Sequence, residues 1–229
     1  GVENLLAEGI PPQRIELVGN IMIDSLEMCR GRIEAHDAFS EFGQTRRSYA
    51  VVTIHRPSNV DDPAVLRRLC ELLERVSEEI PIVFPVHPRT RQRIAAEGLL
   101  VAAQAARRLF LPEPLGYTPF MSLVFNARMV ITDSGGIQEE TTYLGVPCLT
   151  MRENTERPVT VTHGTNRLCT PGDLLERVGE VLRSEAPPLP RIDLWDGRTA
   201  GRVVRAIGRM FAIEGPTGQP EPVCAGARA

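Results

Sequence analysis

The 229-residue sequence has no apolar run approaching the roughly 18 to 20 residues of a membrane span, which argues against a transmembrane helix. Its first residues, GVENLLAEGI, lack the basic start and apolar stretch of a secretory signal. They look like the end of a helix with nothing before it, so the start is read as a truncation point. Charge of one sign is also lacking. A formal net charge of −3 and a pI near 5.9 give no general attraction to nucleic acid or to a membrane surface. Cysteine is scarce and badly spaced for a framework. Cys29, Cys70, Cys148, Cys169 and Cys224 are odd in number, far apart and free of any CxxC or His/Cys cluster. Reduced thiols are expected, with neither disulfides nor a metal site. GxGxxG and GxxxxGKS are both missing, which weakens dinucleotide and P-loop readings. No internal repeat is visible.

What is present is a globular composition, 42% hydrophobic and 24% charged, long enough for one large domain or two small ones. Short apolar runs alternate with longer amphipathic stretches. Strands are expected at 14–20, 48–55, 81–87, 108–114, 129–136 and 146–151. Helices are expected at 23–35, 61–79, 89–98, 118–127, 136–145, 171–183 and 197–212. Asp61 or Asp62 can cap the second of these, with Pro63 in its first turn; Thr118 and Pro119 are given the same roles in the fourth. Gly98 and Gly145 are the expected stops. Residues 36–47 and 185–196 read as connectors, and 213–229, rich in Pro, Gly and Ala, as a disordered tail. Strands alternating with helices imply right-handed βαβ units. The expected fold is α/β: a Rossmann-like three-layer domain over 1–212 with a mostly parallel sheet. Ligands of such sheets sit beyond the carboxyl ends of the strands, at the topological switch point.

The residues after each expected strand are therefore the ones that matter. In ITDSGGIQEE (131–140) a strand runs through Asp133-Ser134-Gly135-Gly136 straight into a helix. Glycines let backbone N–H groups approach an anion, the helix start adds its positive dipole end, and Ser134 adds a hydroxyl. A diphosphate fits; a tight turn capped by Ser134 is the alternative. Glu139 and Glu140 either favour the helix dipole or accept hydrogen bonds from ribose hydroxyls. His55 and Arg56 close one strand and His87 another, each able to face a phosphate or to satisfy a loop. Residues 151–168 bring Arg152, Glu156, Arg157 and His163, and arginine suits bidentate phosphate contact, although a solvated charged loop is the other reading.

Taken together, VGNIMIDSL, VVTIHRPSNVDD, FPVHPRTRQRI, LPEPLGYTPFMSL, ITDSGGIQEETTYLGVPCLTMRENTERPVTV, GTNRL and LWDGRTAGRVV resemble, in order and spacing, the C-terminal half of the non-hydrolysing UDP-N-acetylglucosamine 2-epimerases. The likeness covers roughly 3–212. It implies one half of a GT-B fold that binds UDP and UDP-N-acetylhexosamine. The reaction it implies interconverts UDP-N-acetylglucosamine and UDP-N-acetylmannosamine by elimination and re-addition of UDP, without a cofactor or metal. By the family's motifs, Ser134, Gly135 and Gly136 would hold the diphosphate, Glu140 the ribose, and Arg157 the phosphate side, with His87 and Arg56 also at the nucleotide. His55 would be the catalytic or leaving-group-stabilising residue. A cytoplasmic enzyme, homodimeric when full length, is implied.

Three departures qualify this. The family's N-terminal half, with its acid/base carboxylates, is missing, so the chain alone is expected to turn over little. Arg89 stands near a position where many bacterial members carry Asn, and Ser58 replaces the Glu of the commoner HRxEN form. The alternatives are another GT-B enzyme, such as a glycosyltransferase or hydrolysing epimerase, and a nucleotide-binding module without catalytic duty.

Overall fold

Tyr49 to Val52 form a run with no charge and two β-branched valines, and all four side chains are fully buried. Such a run suits a strand covered on both faces. In the computed structural model, which describes residues 1–185 and 188–211, it becomes β1, Ala50–Thr53. Five more strands join it: β2 Ile82–Val83, β3 Leu109–Phe110, β4 Met129–Thr132, β5 Cys148–Met151 and β6 Asn166–Cys169. All pair in parallel, in the order β3-β2-β1-β4-β5-β6. The chain changes direction across the sheet between β1 and β4, and that is where their carboxyl ends leave a crevice.

Alternate residues of each strand feed two separate cores. Ala50, Val52, Met129 and Ile131 face α4 (Pro63–Glu79), α5 (Pro88–Ala96), α6 (Leu100–Ala105) and α10 (Leu174–Arg183). Val51, Val83 and Val130 face α2 (Ile21–Glu34), α7 (Tyr117–Asn126) and α8 (Gly135–Leu144). The Rossmann-like three-layer α/β fold read from the sequence is therefore present. On α4, Leu66, Leu69, Leu72, Leu73 and Val76 are buried, each contributing roughly 1.5–3 kcal/mol of transfer free energy. Asp62 caps this helix, accepting from the Ala64 and Val65 amides, and Pro63 fills the first position. Gly98 and Gly145 follow their helices with φ of +70° and +69°, as a left-handed stop requires.

Several expectations need correction. No strand forms at 14–20: Pro12–Arg14 is a 3-10 turn, and Gly19, at φ +112°, interrupts the extended run after it. The segment serves α11 (Thr199–Met210) instead, since Arg202 Nε donates to the Val18 carbonyl and Arg209 pairs with Glu16. The strand expected at 81–87 pairs on both sides only at Ile82–Val83. Pro81 and Pro85 occupy positions that would donate toward β1, while Phe84 and Val86 still donate toward the β3 side. The 108–114 strand likewise shrinks to two residues. Helix α7 starts at Tyr117 with Gly116 at its cap, so Thr118 is not the cap. Helix α1 (Val2–Ala7) lies where the opening residues read as helical, whereas strand β6 and helices α3 (Pro57–Val60), α6 and α9 (Pro158–Thr162) were not foreseen. The tail at 213–229 lies outside the described residues.

The start of α11 is capped from far away in sequence. Buried Asp24, on α2, accepts from the Thr199 amide at 3.0 Å and the Ala200 amide at 2.7 Å. Asp24→Ala leaves two helix-start amides without their acceptor and is expected to cost about 1–2 kcal/mol. Urea unfolding measures this. An unchanged midpoint would show that α11 is held by its other contacts.

Candidate functional site

Four strand ends meet in the crevice. β1 leads to His55 and Arg56, β2 to His87, β4 to Asp133 through Gly136, and β5 to the loop carrying Arg152, Glu156 and Arg157. The buried carboxylate of Asp133 ties three of them together. It accepts from the His55 amide at 3.0 Å, the Arg56 amide at 2.8 Å and Asn59 Nδ2 at 3.0 Å. Asn59 also donates to the Met151 carbonyl at the end of β5. The His55 ring lies on the same carboxylate, Nδ1 to Oδ1 at 3.2 Å. Across the cleft the His87 ring stands 6.0 Å away, centre to centre, in a hollow of about 330 Å³ lined also by Thr53, Pro85, Pro114, Leu115 and Phe120.

Helix α8 begins at Gly135 immediately after β4. Ser134 is its cap position, yet no side chain caps the helix start; the Ser134 amide is turned back to Thr132 Oγ1. Neither glycine is required by the fold. A Cβ on Gly135 would come no closer than 3.9 Å, to Glu156 Oε2, and one on Gly136 no closer than 3.6 Å, to the end of Met22; both are ordinary contacts. Neither residue has positive φ. Their lack of side chains leaves the helix-start amides open to an approaching group.

Gln138 and Glu139, one turn further on, hold the loop after β5. Gln138 Oε1 accepts from the Thr155 hydroxyl at 2.6 Å and from Asn166 Nδ2 at 3.0 Å. Thr155 in turn accepts the Arg157 amide. Arg157 Nε pairs with Glu139 Oε1 at 3.0 Å, and Asn20 donates to that same oxygen. Arg157 thus stands beside α8, one turn in from its start. Glu139, a candidate for the ribose, instead anchors this arginine. Glu156 makes a two-pronged pair with Arg152, 2.7 and 2.8 Å, and lies 3.8 Å from Arg56 Nη1. His163 contacts Thr162 beyond α9 and contributes nothing to this cluster.

Glu140 is buried on the other side of α8 and accepts from the Tyr117 hydroxyl at 2.9 Å. Burial pushes its carboxyl up to about 7, against the opposing pull of the Tyr117 hydrogen bond, and the Glu139 charge adds to the rise. Tyr117 is itself pushed up by burial and by the neighbouring Glu140. Asp133, Asn59, Gln138 and Tyr117 were not singled out from the sequence. All four lay in segments that carried the resemblance: Asn59 in HRPSN, Asp133 and Gln138 in ITDSGGIQEE, and Tyr117 in LPEPLGYTPFMSL.

The sequence pattern of the family described as UDP-N-acetylglucosamine 2-epimerase matches residues 1–208. The chain belongs to that family. It is 37% identical over 214 residues to a UDP-N-acetylglucosamine 2-epimerase of Methanocaldococcus jannaschii, covering 89% of this chain and 57% of the relative. It is 35% identical over 171 residues to a UDP-2,3-diacetamido-2,3-dideoxy-D-glucuronate 2-epimerase of Pseudomonas aeruginosa, covering 73% of this chain and 45% of that protein. The crystal structure of the Methanocaldococcus jannaschii UDP-GlcNAc 2-epimerase in complex with UDP-GlcNAc and UDP superimposes with a TM-score of 0.80 at 33% identity. That match covers 90% of this chain and 58% of the other. The chain spans between 45% and 58% of the length of these relatives, as one half of a GT-B fold would. Among the described residues no helix is long and apolar enough to cross a membrane.

The Glu140 carboxyl makes stability pH-dependent. Its folded value, about 7, lies above the ordinary 4.5, so between these the folded chain keeps a proton that the unfolded chain has released. That contribution is complete below about pH 4.5 and is lost as pH rises through about 7. Glu140→Gln is therefore expected to match the parent near pH 5 and to exceed it at pH 8. The gap should be on the order of 3 kcal/mol, at about 1.4 kcal/mol per pKa unit. Denaturation at the two pH values checks this, and a constant difference would place the ionisation elsewhere.

Proposed function

We propose that this chain is the UDP-binding half, over 1–212, of an enzyme interconverting UDP-N-acetylglucosamine and UDP-N-acetylmannosamine. The observation that carries the reading is the uncapped, side-chain-free start of α8 with Arg157 fixed one turn further along the same helix. Helix-start amides and a guanidinium together make a diphosphate site that needs no metal. Ser134, Gly135 and Gly136 take the diphosphate, and Arg157 closes over it from the next loop. Arg56 and His87 flank the same crevice. Glu140, short of donors in its buried setting, takes the ribose hydroxyls. His55 stands at the leaving diphosphate oxygen as the catalytic or leaving-group-stabilising residue. The relative crystallised with UDP-GlcNAc and UDP supports this choice of ligand.

Epimerisation at carbon 2 also needs a base for a weakly acidic C–H. In this reading that base comes from the part of the relatives' length that this chain does not span, so the chain alone binds without turning over. The likeness to a 2-epimerase acting on a diacetamido uronate sugar supports a second reading, in which the nucleotide is the same and the hexose differs. The intact enzyme is read as a cytoplasmic homodimer. Product analysis with it separates epimerisation, which yields the UDP-linked epimer, from hydrolysis, which frees the sugar.

Calorimetry of UDP onto the 229-residue chain tests the site. Ser134→Ala and Arg157→Ala should each weaken binding by about 1.5–3 kcal/mol, the worth of a charge-assisted hydrogen bond. Gly135→Ala is sharper, because its new methyl finds room inside the chain and alanine favours a helix by about 1 kcal/mol. It should unfold no earlier than the parent while losing most of its UDP affinity. Parent-like affinity in all three would remove the diphosphate from this helix start.

A further inference from the structure

We propose that Asp133 is a positioning residue that fixes His55 with its proton on Nδ1, while the Arg89 amide fixes His87 in the opposite form, with its proton on Nε2. The crevice then holds one basic ring nitrogen, His55 Nε2, and one ring donor, His87 Nε2–H. This rests on the UDP-binding assignment only for the group the pair acts upon; the proton positions come from hydrogen bonding alone.

A carboxylate is an acceptor only, so the ring nitrogen lying against it must carry the proton. His55 Nδ1 is 3.2 Å from Asp133 Oδ1, which leaves Nε2, on the other side of the ring, as the unprotonated nitrogen of the neutral side chain. At His87 the partner is a donor. The Arg89 amide points at Nδ1 from 3.3 Å, so Nδ1 accepts and the proton of the neutral ring resides on Nε2. Both rings line the same hollow, 6.0 Å apart. A ring whose Nδ1–H rests on a carboxylate can take up a proton at Nε2 and return it, while His87 Nε2–H offers a hydrogen bond to a neighbouring oxygen.

Asp133 is well placed to impose this. It is fully buried, and its Oδ2 accepts from the His55 amide, the Arg56 amide and Asn59 Nδ2, so the carboxylate cannot turn. The charged and titratable groups around His55 are few. They are Asp133 at the end of β4, Arg56 beside it, His87 after β2, and Arg152 with Glu156 in the loop after β5. In Asp133→Asn the amide oxygen is demanded by the three donors at the Oδ2 position. The amide NH2 then faces His55 Nδ1, which must accept, and the ring proton moves to Nε2.

Nitrogen-15 correlation spectra of the labelled full chain at pH 8 read ring protonation directly, with His55→Gln and His87→Gln to assign the signals. The expected result is a protonated Nδ1 on His55 and a protonated Nε2 on His87. In Asp133→Asn, His55 should switch to the Nε2–H form. His87 should be unchanged. Nε2–H on His55 in the parent overturns the proposal even if the variant does not fold. So does a folded variant in which His55 keeps its Nδ1–H form. A chain with the expected ring protons that does not bind UDP overturns the proposed function and leaves this inference standing.

Discussion

One buried carboxylate holds the crevice in shape. An ionised Asp133 removed from water would cost several kcal/mol if left alone. Three nitrogen donors from the segment after β1 converge on it, and a ring nitrogen completes the set. These donors, on residues 55–59, lie 74 to 78 positions from Asp133 in sequence. The compensation therefore exists only when β1 and β4 lie side by side. Asn59 extends the tie to β5. The switch point is thus more than a gap between strands. It is closed from below by a charge that the neighbouring loops must face, and Arg56 and His55 inherit fixed positions from that demand.

Above this floor the cations are already paired. Arg157 rests on Glu139, while Arg152 and Arg56 share Glu156, whose carboxyl these arginines, Arg152 first, pull down to about 2. An acidic protein with a pI near 5.9 can still present an anion site in this way, because the attraction is local. It comes from helix-start amides that no side chain covers and from guanidiniums held at the edge of the same loop. The Arg152–Glu156 pair, half exposed on its glutamate side, contributes modestly to stability. Its consequence is geometric: it keeps Arg152, whose side chain is largely covered, and Arg56 near Gly135.

Much of this could be read from residue order, and the failures have physical causes. β1 and β4 were clear because both are continuous apolar runs ending in polar residues, His55-Arg56 after β1 and Asp133-Ser134 with two glycines after β4. Ser134, Gly135, Gly136 and Arg157 were picked out because glycines at a strand-to-helix junction and an arginine in the next loop suit an anion, and the fold places Arg157 beside that same helix. β6 was missed because Asn166 and Arg167 break the apolar pattern. Asn166 is tolerated because it spends its amide on Gln138 and Thr160. The false strand at 14–20 carries apolar residues at alternate positions, but they have no partner strand, and Leu17 is exposed. Asp133 escaped notice for a different reason. Its importance depends on donors from another part of the chain, and no local spacing announces them.

The two buried carboxylates of the site, Asp133 and Glu140, show how one fold separates structure from binding. Asp133 has four polar partners and is complete without any ligand. Glu140, equally removed from water, has the Tyr117 hydroxyl and a destabilising neighbour in Glu139, and its carboxyl rises to about 7. A group in that condition is poorly satisfied, and a folded protein keeps such groups where something else supplies the missing donors. Two vicinal hydroxyls would do so, and would draw the carboxyl back toward its charged form as they bound. In the proposed role, part of the free energy of nucleotide binding is then recovered from a cost that the empty site carries, which links the ribose to proton release near neutral pH.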